Sequence, residues 1–160
     1  MSGLTHLDEI GAARMVDVSS KRESLRIAIA EGRIAMSQAA LAAIRDASAS
    51  KGDVIAVARV AGIMAAKTTS NLIPLCHPVM LTSVTLAFAF EDDAVLATAT
   101  ARATGTTGVE MEALTAATVA LLTIYDMVKA LDRAMRIEGV RLLAKSGGRS
   151  GDWLASDPPA

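Results

Sequence analysis

A charge-free run from Ala113 to Tyr125 sets the main limit on how this chain can fold. Apolar residues would occupy every face of a helix there, so the segment should be buried on all sides. It is shorter than the roughly 18 apolar residues that a membrane span needs. Glu110 and Glu112 precede the run, and an Asp126/Lys129 pair follows it. Ionisable groups at the ends of a buried helix are costly unless something pairs with them, so they are candidates for a functional site.

The composition indicates a globular chain with a thin core. Of the 160 residues, 52% are hydrophobic and only 2% are aromatic, and alanine is abundant. Because small side chains fill little volume, we expect close helix packing and subunit interfaces to supply the missing burial. The net charge of −1 and the pI near 6.1 exclude a global basic field for nucleic acid, so any anion site must be built locally.

Cysteine usage and the N-terminus bear on the compartment. Cys76 is the one cysteine, so an intrachain disulfide cannot form, which fits a reducing compartment. Residues 1–11 lack the basic patch and apolar run of a signal peptide. We therefore predict a cytoplasmic protein.

The spacing of apolar residues predicts helices and strands along the whole chain. In the first half we expect a helix over 20–30 that Gly32 ends, a strand over 33–36, a helix from Ser37 to Ala47, and a helix over 54–67 capped by Asp53. In the second half we expect an apolar loop over 72–78, a hairpin of strands 81–90 and 95–102, a helix over 108–135, and a strand over 137–144.

The order of these elements predicts an α+β fold. The β-α-β-β-α-β pattern suits a ferredoxin-like antiparallel sheet with helices on one face and additional helices near the N-terminus. We expect a single domain over residues 1–160, with mobile ends at about 1–18 and 150–160. The other face of the sheet is also apolar or small, so a partner subunit is its natural cover.

Two segments approach nucleotide-binding motifs and fall short of them. Gly139 to Ser146 has the spacing of a phosphate-binding loop, but Ala144 stands where the second glycine belongs, and we reject it. Ala103 to Gly108 sits between a strand and a helix like a dinucleotide fingerprint, but Ala103 replaces its first glycine, which leaves a weak signal.

The turn before the long helix could still hold an anion, because free N–H groups open the helix there. The alternative is structural: Thr106 or Thr107 caps the helix, and Glu110 complements its dipole. A carboxylate already present makes a phosphate less welcome, so the residues alone favour the structural role for Glu110.

Cys76 and His77 are neighbours in the chain. Adjacent residues of an extended segment point in opposite directions, so they do not form a nucleophile–base pair by themselves. A lone histidine is more often a hydrogen-bonding residue than a catalyst, although Pro74 and Pro78 make this loop rigid.

Asp126 and Lys129 share a helix face. Most such pairs are surface ion pairs worth under about 1 kcal/mol, but this pair follows a charge-free helix, so we expect partial burial. Glu112 and Asp126 lie about 21 Å apart along the helix axis at about 1.5 Å per residue. Either one of the two carboxylates is structural, or the site is shared between chains.

Basic residues lie in or beside several loops, at Lys51, Lys67, Lys145 and Arg149. Lysines in loops are usually just solvated. If these side chains converge in the fold, they could hold a triphosphate by charge-assisted hydrogen bonds.

Seven segments also form a pattern together. They begin at Met15, Lys51, Ala61, Leu72, Thr107, Thr123 and Leu142, and read MVDV, KGDV, AGI, LIPLCHP, TGVEMEALTAA, TIYDMVK and LLAKSGG. Over about residues 4–153 the chain resembles the MoaC family, the cyclic pyranopterin monophosphate synthases of molybdenum cofactor biosynthesis.

The resemblance implies a reaction and an assembly. The substrate would be 3′,8-cyclo-7,8-dihydro-GTP, made by a preceding radical SAM enzyme, and the products would be cyclic pyranopterin monophosphate and diphosphate. The family fold is ferredoxin-like. Its oligomer is a homohexamer, a trimer of dimers with active sites at the dimer interfaces.

The resemblance also implies roles for particular residues. Asp126 resembles the catalytic aspartate and Lys129 the lysine paired with it. The substrate-binding positions would be Leu75, Cys76, His77, Met111, Glu112, Lys51, Lys67, Lys145, Arg26 and Glu110. Thr68, Asn71 and Thr106 stand where many members carry more strongly charged or longer polar residues.

The implied conversion needs several proton transfers, two ring rearrangements and attack of a sugar hydroxyl on the α-phosphate. Lys129 would be the main general acid/base, with Asp126 positioning it. Lys51 and Lys145 would neutralise the phosphates, and His77 and Glu112 would hold the base or sugar. No redox step occurs, so no redox cofactor is implied, although Mg²⁺ could assist diphosphate departure.

Two other classes of function remain open from the residues. One is a ligand-binding or assembly module without catalysis, because ferredoxin-like folds often serve that way. The other is a phosphatase or cyclase that acts on GTP itself.

Overall fold

An antiparallel sheet organises the chain in this computed structural model, which describes residues 10–20 and 22–156. Its five strands are β1 (Ser24–Ala35), β2 (Leu81–Phe90), β3 (Ala94–Gly105), β4 (Arg136–Ser146) and β5 (Trp153–Leu154). They lie in the order β2-β3-β1-β4-β5, and each neighbouring pair is antiparallel. The first four have the 2-3-1-4 order of a ferredoxin-like sheet, so the predicted α+β fold is confirmed.

Helices cover one face of this sheet. They are α1 (Gln38–Arg45), α2 (Val54–Lys67), α3 (Thr69–Leu72) and α4 (Glu110–Val128). The Ser37 hydroxyl accepts a hydrogen bond from the Ala40 amide, and the Asp53 carboxylate accepts one from the Ala56 amide. Both side chains therefore act as the N-caps that the sequence predicts.

Small side chains fill the layer between α4 and the sheet. The buried alanines of this layer are Ala28, Ala30, Ala97, Ala99, Ala101 and Ala103 from the strands, and Ala113, Ala116, Ala117 and Ala120 from α4. Leu121 and Ile124 fill the space between α4 and the other buried residues of the larger cluster. Because alanines allow close approach, α4 lies tightly against β1 and β3 over its length.

By length and composition alone, α4 would qualify as a membrane span. Half of its apolar window is buried inside the fold, and its small residues pack against the strands. It is therefore a core helix on the side that faces the sheet. The prediction that the charge-free run is buried on all sides is wrong for one protomer, because Leu122 is 51% exposed and several other residues of the run are only half-buried.

The predicted helix over 20–30 is wrong, because residues 24–30 form the first part of β1, which also contains residues 33–35 of the predicted strand over 33–36. Arg26, Ala28 and Ala30 face the helices and are buried, while Ile27 and Ile29 lie half-buried on the other face. Since both faces are apolar, the spacing matches helical and strand periods alike. Gly32 does not end a helix but pairs with Ala97 inside the sheet.

Other bounds also differ from prediction. The long helix ends at Val128 rather than near residue 135, α3 precedes the predicted loop over 72–78, and β5 forms within the predicted tail. Trp153 and Leu154 pair with Lys145 and Ala144 of β4. Residues 1–9 and 157–160 of the predicted mobile ends lie outside the described residues, and mobility of the ends stays a prediction.

We predict that Gly62→Ala destabilises the protein by about 1–2 kcal/mol, although alanine ordinarily favours a helix over glycine. A Cβ atom at Gly62 would lie 2.6 Å from Leu86 Cδ2 and 2.8 Å from the backbone oxygen of Ala116, so α2 and α4 would have to separate. Denaturant unfolding measures the effect. Gly105→Ala is the matched control, because a Cβ there meets nothing within 4 Å, and equal stabilities would contradict the prediction.

Candidate active site

The predicted site residues other than Lys67 fall into two groups at opposite ends of α4. The head group consists of Arg26, Leu75, Cys76, His77, Glu110, Met111, Glu112 and Lys145. The tail group consists of Lys51, Asp126 and Lys129. Because both carboxylates lie within one continuous helix, the separation of about 21 Å between Glu112 and Asp126 is confirmed.

In the tail group, two ammonium groups share one carboxylate. Lys129 Nζ donates to Asp126 Oδ1 at 2.7 Å, and Lys51 Nζ donates to Asp126 Oδ2 at 2.8 Å. Lys51 Nζ also donates to the backbone oxygen of Asp126 at 3.0 Å, which satisfies a carbonyl of the last helical turn. The side chains of Lys51, Asp126 and Lys129 are 48%, 56% and 52% exposed. The expected partial burial of the Asp126/Lys129 pair is therefore not found within one protomer, which leaves this group open to solvent.

The paired lysines lower the pKa of Asp126 to about 2, first through the hydrogen bond from Lys129 and then through that from Lys51. Asp126 is therefore a carboxylate at any pH near neutrality. It can orient the two ammonium groups and attract a proton to them, but it does not hold a proton itself.

In the head group, basic side chains line a cavity of about 330 Å³ between β1, β4 and the start of α4. Arg26, Lys145 and Arg149 contribute their cations to this basic cavity. Arg26 is only 9% exposed, and its Nε donates to the backbone oxygen of Gly105 at 3.2 Å. Lys145 Nζ donates to the Ser150 hydroxyl from the loop that follows β4.

The loop after β4 wraps over the Arg26 guanidinium. Gly148 has a φ of +81°, a backbone conformation that residues with a side chain rarely adopt. A Cβ atom at this position would also collide with Arg26 Nη1. The loop can thus lie directly on the guanidinium, which limits how Arg26 moves and keeps Arg149 beside the same cavity.

A second cavity of about 730 Å³ adjoins the first. Its walls are mostly apolar, and they include Leu75, Cys76, His77 and Met111. Both cavities are lined by Thr107, Gly108 and Glu110, so the turn between β3 and α4 lies between them. We call the second the apolar cavity.

The start of α4 differs from the predicted cap. Val109 occupies the N-cap position and makes no side-chain cap hydrogen bond, so the prediction that Thr106 or Thr107 caps the helix is wrong. The Glu110 carboxylate instead lies against Gly108. Valine has no side-chain oxygen that could accept from the first amides, so the helix begins without a side-chain cap at the turn between the cavities.

Glu112 lies behind the wall of the apolar cavity rather than in it. It is 2% exposed, and Cys76 Sγ donates to its Oε1 at 3.8 Å. Burial raises the pKa of Glu112 above its ordinary value. Burial, followed by the nearby Glu112 carboxylate, raises the pKa of the Cys76 thiol to about 11, so Cys76 is a thiol and not a thiolate nucleophile at neutral pH.

The structure adds residues that the sequence reasoning did not assign to a site. Val16 and Val18 line the apolar cavity, and Arg149 lines the basic cavity. The MVDV segment was a signal for the first two, because it carried part of the resemblance. In the sequence, Arg149 is one of four loop cations that could hold a triphosphate if they converged. Only Arg149 and Lys145 of the four meet at the basic cavity, while Lys51 lies at Asp126 and Lys67 in a separate recess.

Two remaining sets of predicted residues have separate positions. Lys67 lies at the end of α2 and lines a recess with Met80 and Leu81, apart from both cavities. Of the three departures from the family pattern, Thr106 lines the basic cavity, while the Thr68 hydroxyl donates to the backbone oxygen of Met64. Within the described residues, no three His, Cys, Asp or Glu side chains converge to hold a metal ion.

Comparison with known proteins links these features to one family. A family model described as the MoaC family matches residues 15–148. A protein of Novosphingobium aromaticivorans named cyclic pyranopterin monophosphate synthase is 60% identical over 157 residues, covering 98% of this chain and 100% of that protein. Proteins of the same name from Brucella ovis and Brucella melitensis are 58% identical over 161 residues, covering 99% of this chain and 98% of each relative.

We predict that Lys129→Met raises the pKa of Asp126 from about 2 more than Lys51→Met does, because the hydrogen bond from Lys129 contributes most to its low value. Carboxyl carbon NMR of aspartate-labelled protein, titrated in acid, measures both shifts. Arg133→Met is the control, because this exposed cation at the same end of the protein makes no ion pair with Asp126. A pKa of Asp126 that none of the three variants changes would contradict the geometry of the tail group.

Proposed function

We propose, because this chain belongs to the MoaC family, that it is a cyclic pyranopterin monophosphate synthase. The observation that carries this proposal is identity of 58–60%, over nearly the full length of both chains, to proteins with that name. The reaction converts 3′,8-cyclo-7,8-dihydro-GTP to cyclic pyranopterin monophosphate and diphosphate. A sugar hydroxyl attacks the α-phosphorus, and the bond from that phosphorus to the diphosphate oxygen breaks.

The two adjoining cavities fit the two ends of such a substrate. The basic cavity offers Arg26, Lys145 and Arg149 to a polyphosphate, and its charge-assisted hydrogen bonds favour the phosphate end. The apolar cavity is large enough for a purine-derived ring and places His77 and Met111 on its wall. Glu110 and the helix N-terminus lie between the two ends, where the sugar would be.

The tail group supplies the proton chemistry in this proposal. Asp126 stays ionised because of its two ammonium partners, so Lys129 is the main general acid/base and Asp126 positions it. Lys51 shares the same carboxylate and would place its charge against a phosphate of the substrate. The role of Lys67 is phosphate contact from the recess at the end of α2.

One protomer cannot bring its own head and tail groups onto one substrate. They lie at opposite ends of α4, about 21 Å apart, which exceeds the reach of the side chains. We infer that a partner subunit supplies the missing group, in a homohexamer built as a trimer of dimers with its sites at the dimer interfaces. The half-exposed tail group and the exposed Val57, Val60 and Met64 of α2 support contact with a second chain.

The remaining assignments follow from the same reaction. The enzyme class is a phosphorus–oxygen lyase, because the α-phosphate ester closes internally with loss of diphosphate. No redox cofactor is required, and Mg²⁺ would serve only to assist diphosphate departure. We place the reaction in the cytoplasm and in a single domain over residues 1–160.

We predict that Lys129→Ala lowers diphosphate release from the cyclised nucleotide by about 10²–10⁴-fold, the usual contribution of a general acid/base, without changing the oligomer. Arg133→Ala is the matched control, because it removes a nearby exposed cation outside the tail group. Unmodified GTP and a no-enzyme blank are assayed in parallel. Near-normal turnover by Lys129→Ala would remove Lys129 from the chemistry. Release from GTP but not from the cyclised nucleotide would contradict the proposed substrate.

We predict that two inactive variants complement each other when they share an oligomer. His77→Ala removes a head residue and Lys129→Ala a tail residue, so a mixed dimer has one site with both defects and one intact site. If chains pair at random within the hexamer, about half of the dimers are mixed, and each of these has one intact site of its two. The mixed oligomer should therefore show roughly a quarter of the wild-type turnover. Co-expression with two different tags, followed by tandem purification, isolates the mixed oligomer. A mixed oligomer as inactive as its parents would mean that each site is built from one chain.

A further inference from the structure

Glu112 is a buried carboxyl group with too few partners for a charge. Only 2% of the residue is exposed, and its Oε2 has no hydrogen-bond partner among the described residues. Its Oε1 accepts from the thiol of Cys76, which is a weak donor. An ionised carboxylate placed there loses its hydration almost without compensation, whereas the neutral acid loses far less.

The groups around Glu112 favour the neutral form on balance. Burial is the largest influence on its pKa and raises it, and the negative charge of Glu110 on the same helix raises it further. The thiol of Cys76, from the segment after α3, and the backbone amide of Glu112 itself act in the opposite direction. Among the described residues, Arg26, Lys67 and His77 of the neighbouring elements form no ion pair with it within 4 Å.

We propose that Glu112 is a positioning residue that works in its uncharged form, accepting the S–H of Cys76 so that the sulfur turns its lone pairs toward the apolar cavity. Cys76 lines that cavity and Glu112 does not, so Glu112 acts on a ligand through the thiol. The cavity wall then offers the ligand a soft, weakly accepting surface in place of a donor or an anion. The edge of a ring, where its N–H and C–H groups lie, matches this wall.

The charge state can be measured without any substrate. In protein labelled with ¹³C at the glutamate carboxyl carbon, Glu112→Gln identifies the signal of Glu112, and its titration midpoint should lie above 4.5, the ordinary value for glutamate. Cys76→Ala should raise the midpoint further, because the thiol is one of the few contacts that favour the charged form. A midpoint at or below 4.5 in the wild-type protein would overturn the proposal.

Stability gives a second readout with a definite sign. A carboxyl group whose pKa rises on folding stabilises the fold fully at pH below 4.5, and this contribution is lost as the pH rises through the native titration. The unfolding free energy of Glu112→Gln relative to wild type should therefore increase with pH over that range. A constant or decreasing difference would contradict the proposal. If Glu112→Gln does not fold, Cys76→Ser identifies the carboxyl signal of Glu112 instead, because this substitution shifts the signal of the carboxyl group that residue 76 contacts.

The positioning role rests on the proposed function and is tested by a pH profile. The kcat/KM of the wild-type enzyme should fall on the alkaline side at the Glu112 midpoint, and Glu112→Gln should lack that fall, whatever its absolute rate. Cys76→Ser, which keeps a donor at the same position, should retain it. Persistence of the fall in Glu112→Gln would overturn the positioning role. Absence of any conversion by wild type would count against the proposed function, while the NMR titration still decides the charge state.

Discussion

The close packing of α4 on β1 and β3 is the contact on which the rest of the structure depends. Alanines from both layers meet across it, so the two layers approach more closely than larger side chains would allow. The contact is stabilised by the apolar area that it removes from water. It costs very little side-chain conformational entropy, because alanine has no rotamers to lose. Enlarging one of these side chains would displace a whole helix, and both ends of that helix carry predicted site residues.

Because α4 is held rigidly by this packing, the distance between the candidate site residues at its two ends is also fixed. A rigid α4 holds Glu112 at one end and Asp126 at the other, and no side-chain rotation closes that gap. The thin core and the half-exposed tail group then have a common explanation, since a second chain would bury the tail group of one protomer while completing the head group of the other. The same contact would supply apolar burial that a chain with 2% aromatic residues lacks by itself.

The secondary structure was predictable where the spacing of apolar residues matches either a helix or a strand but not both. The hairpin of β2 and β3 alternates clearly, and the N-caps Ser37 and Asp53 have the side-chain oxygens that their positions require. The prediction failed at β1, where both faces are apolar and the helical and strand periods cannot be separated. The prediction failed again at the start of α4. The backbone geometry of the turn decides which residue becomes the N-cap, and the two nearby threonines in the sequence do not reveal that it is Val109.

Candidate site residues could be named from the sequence, whereas their arrangement in space could not. Asp126 and Lys129 stand out from the residues alone, because they share a helix face after a long charge-free segment. Lys51 comes from a different helix start, and only the antiparallel packing of α2 on α4 brings it to Asp126. The burial of Glu112 could not be read from its position in the first helical turn, where most glutamates are solvated and simply complement the dipole.

Glu112 and Asp126 are alike in chemistry and differ only in their surroundings. Asp126 lies in solvent between two ammonium groups, which lower its pKa to about 2, whereas burial raises the pKa of Glu112. The surroundings thus shift the pKa values of two carboxyl groups on one helix in opposite directions, towards the ionised form at Asp126 and towards the protonated form at Glu112. If a composite site brings Asp126 of one chain toward Glu112 of another, the substrate would meet a fixed anion with two cations on one side and an uncharged acid behind a thiol on the other. Such a site can stabilise negative charge at its cationic side without repelling it from its acidic side, which is what a polyphosphorylated substrate requires.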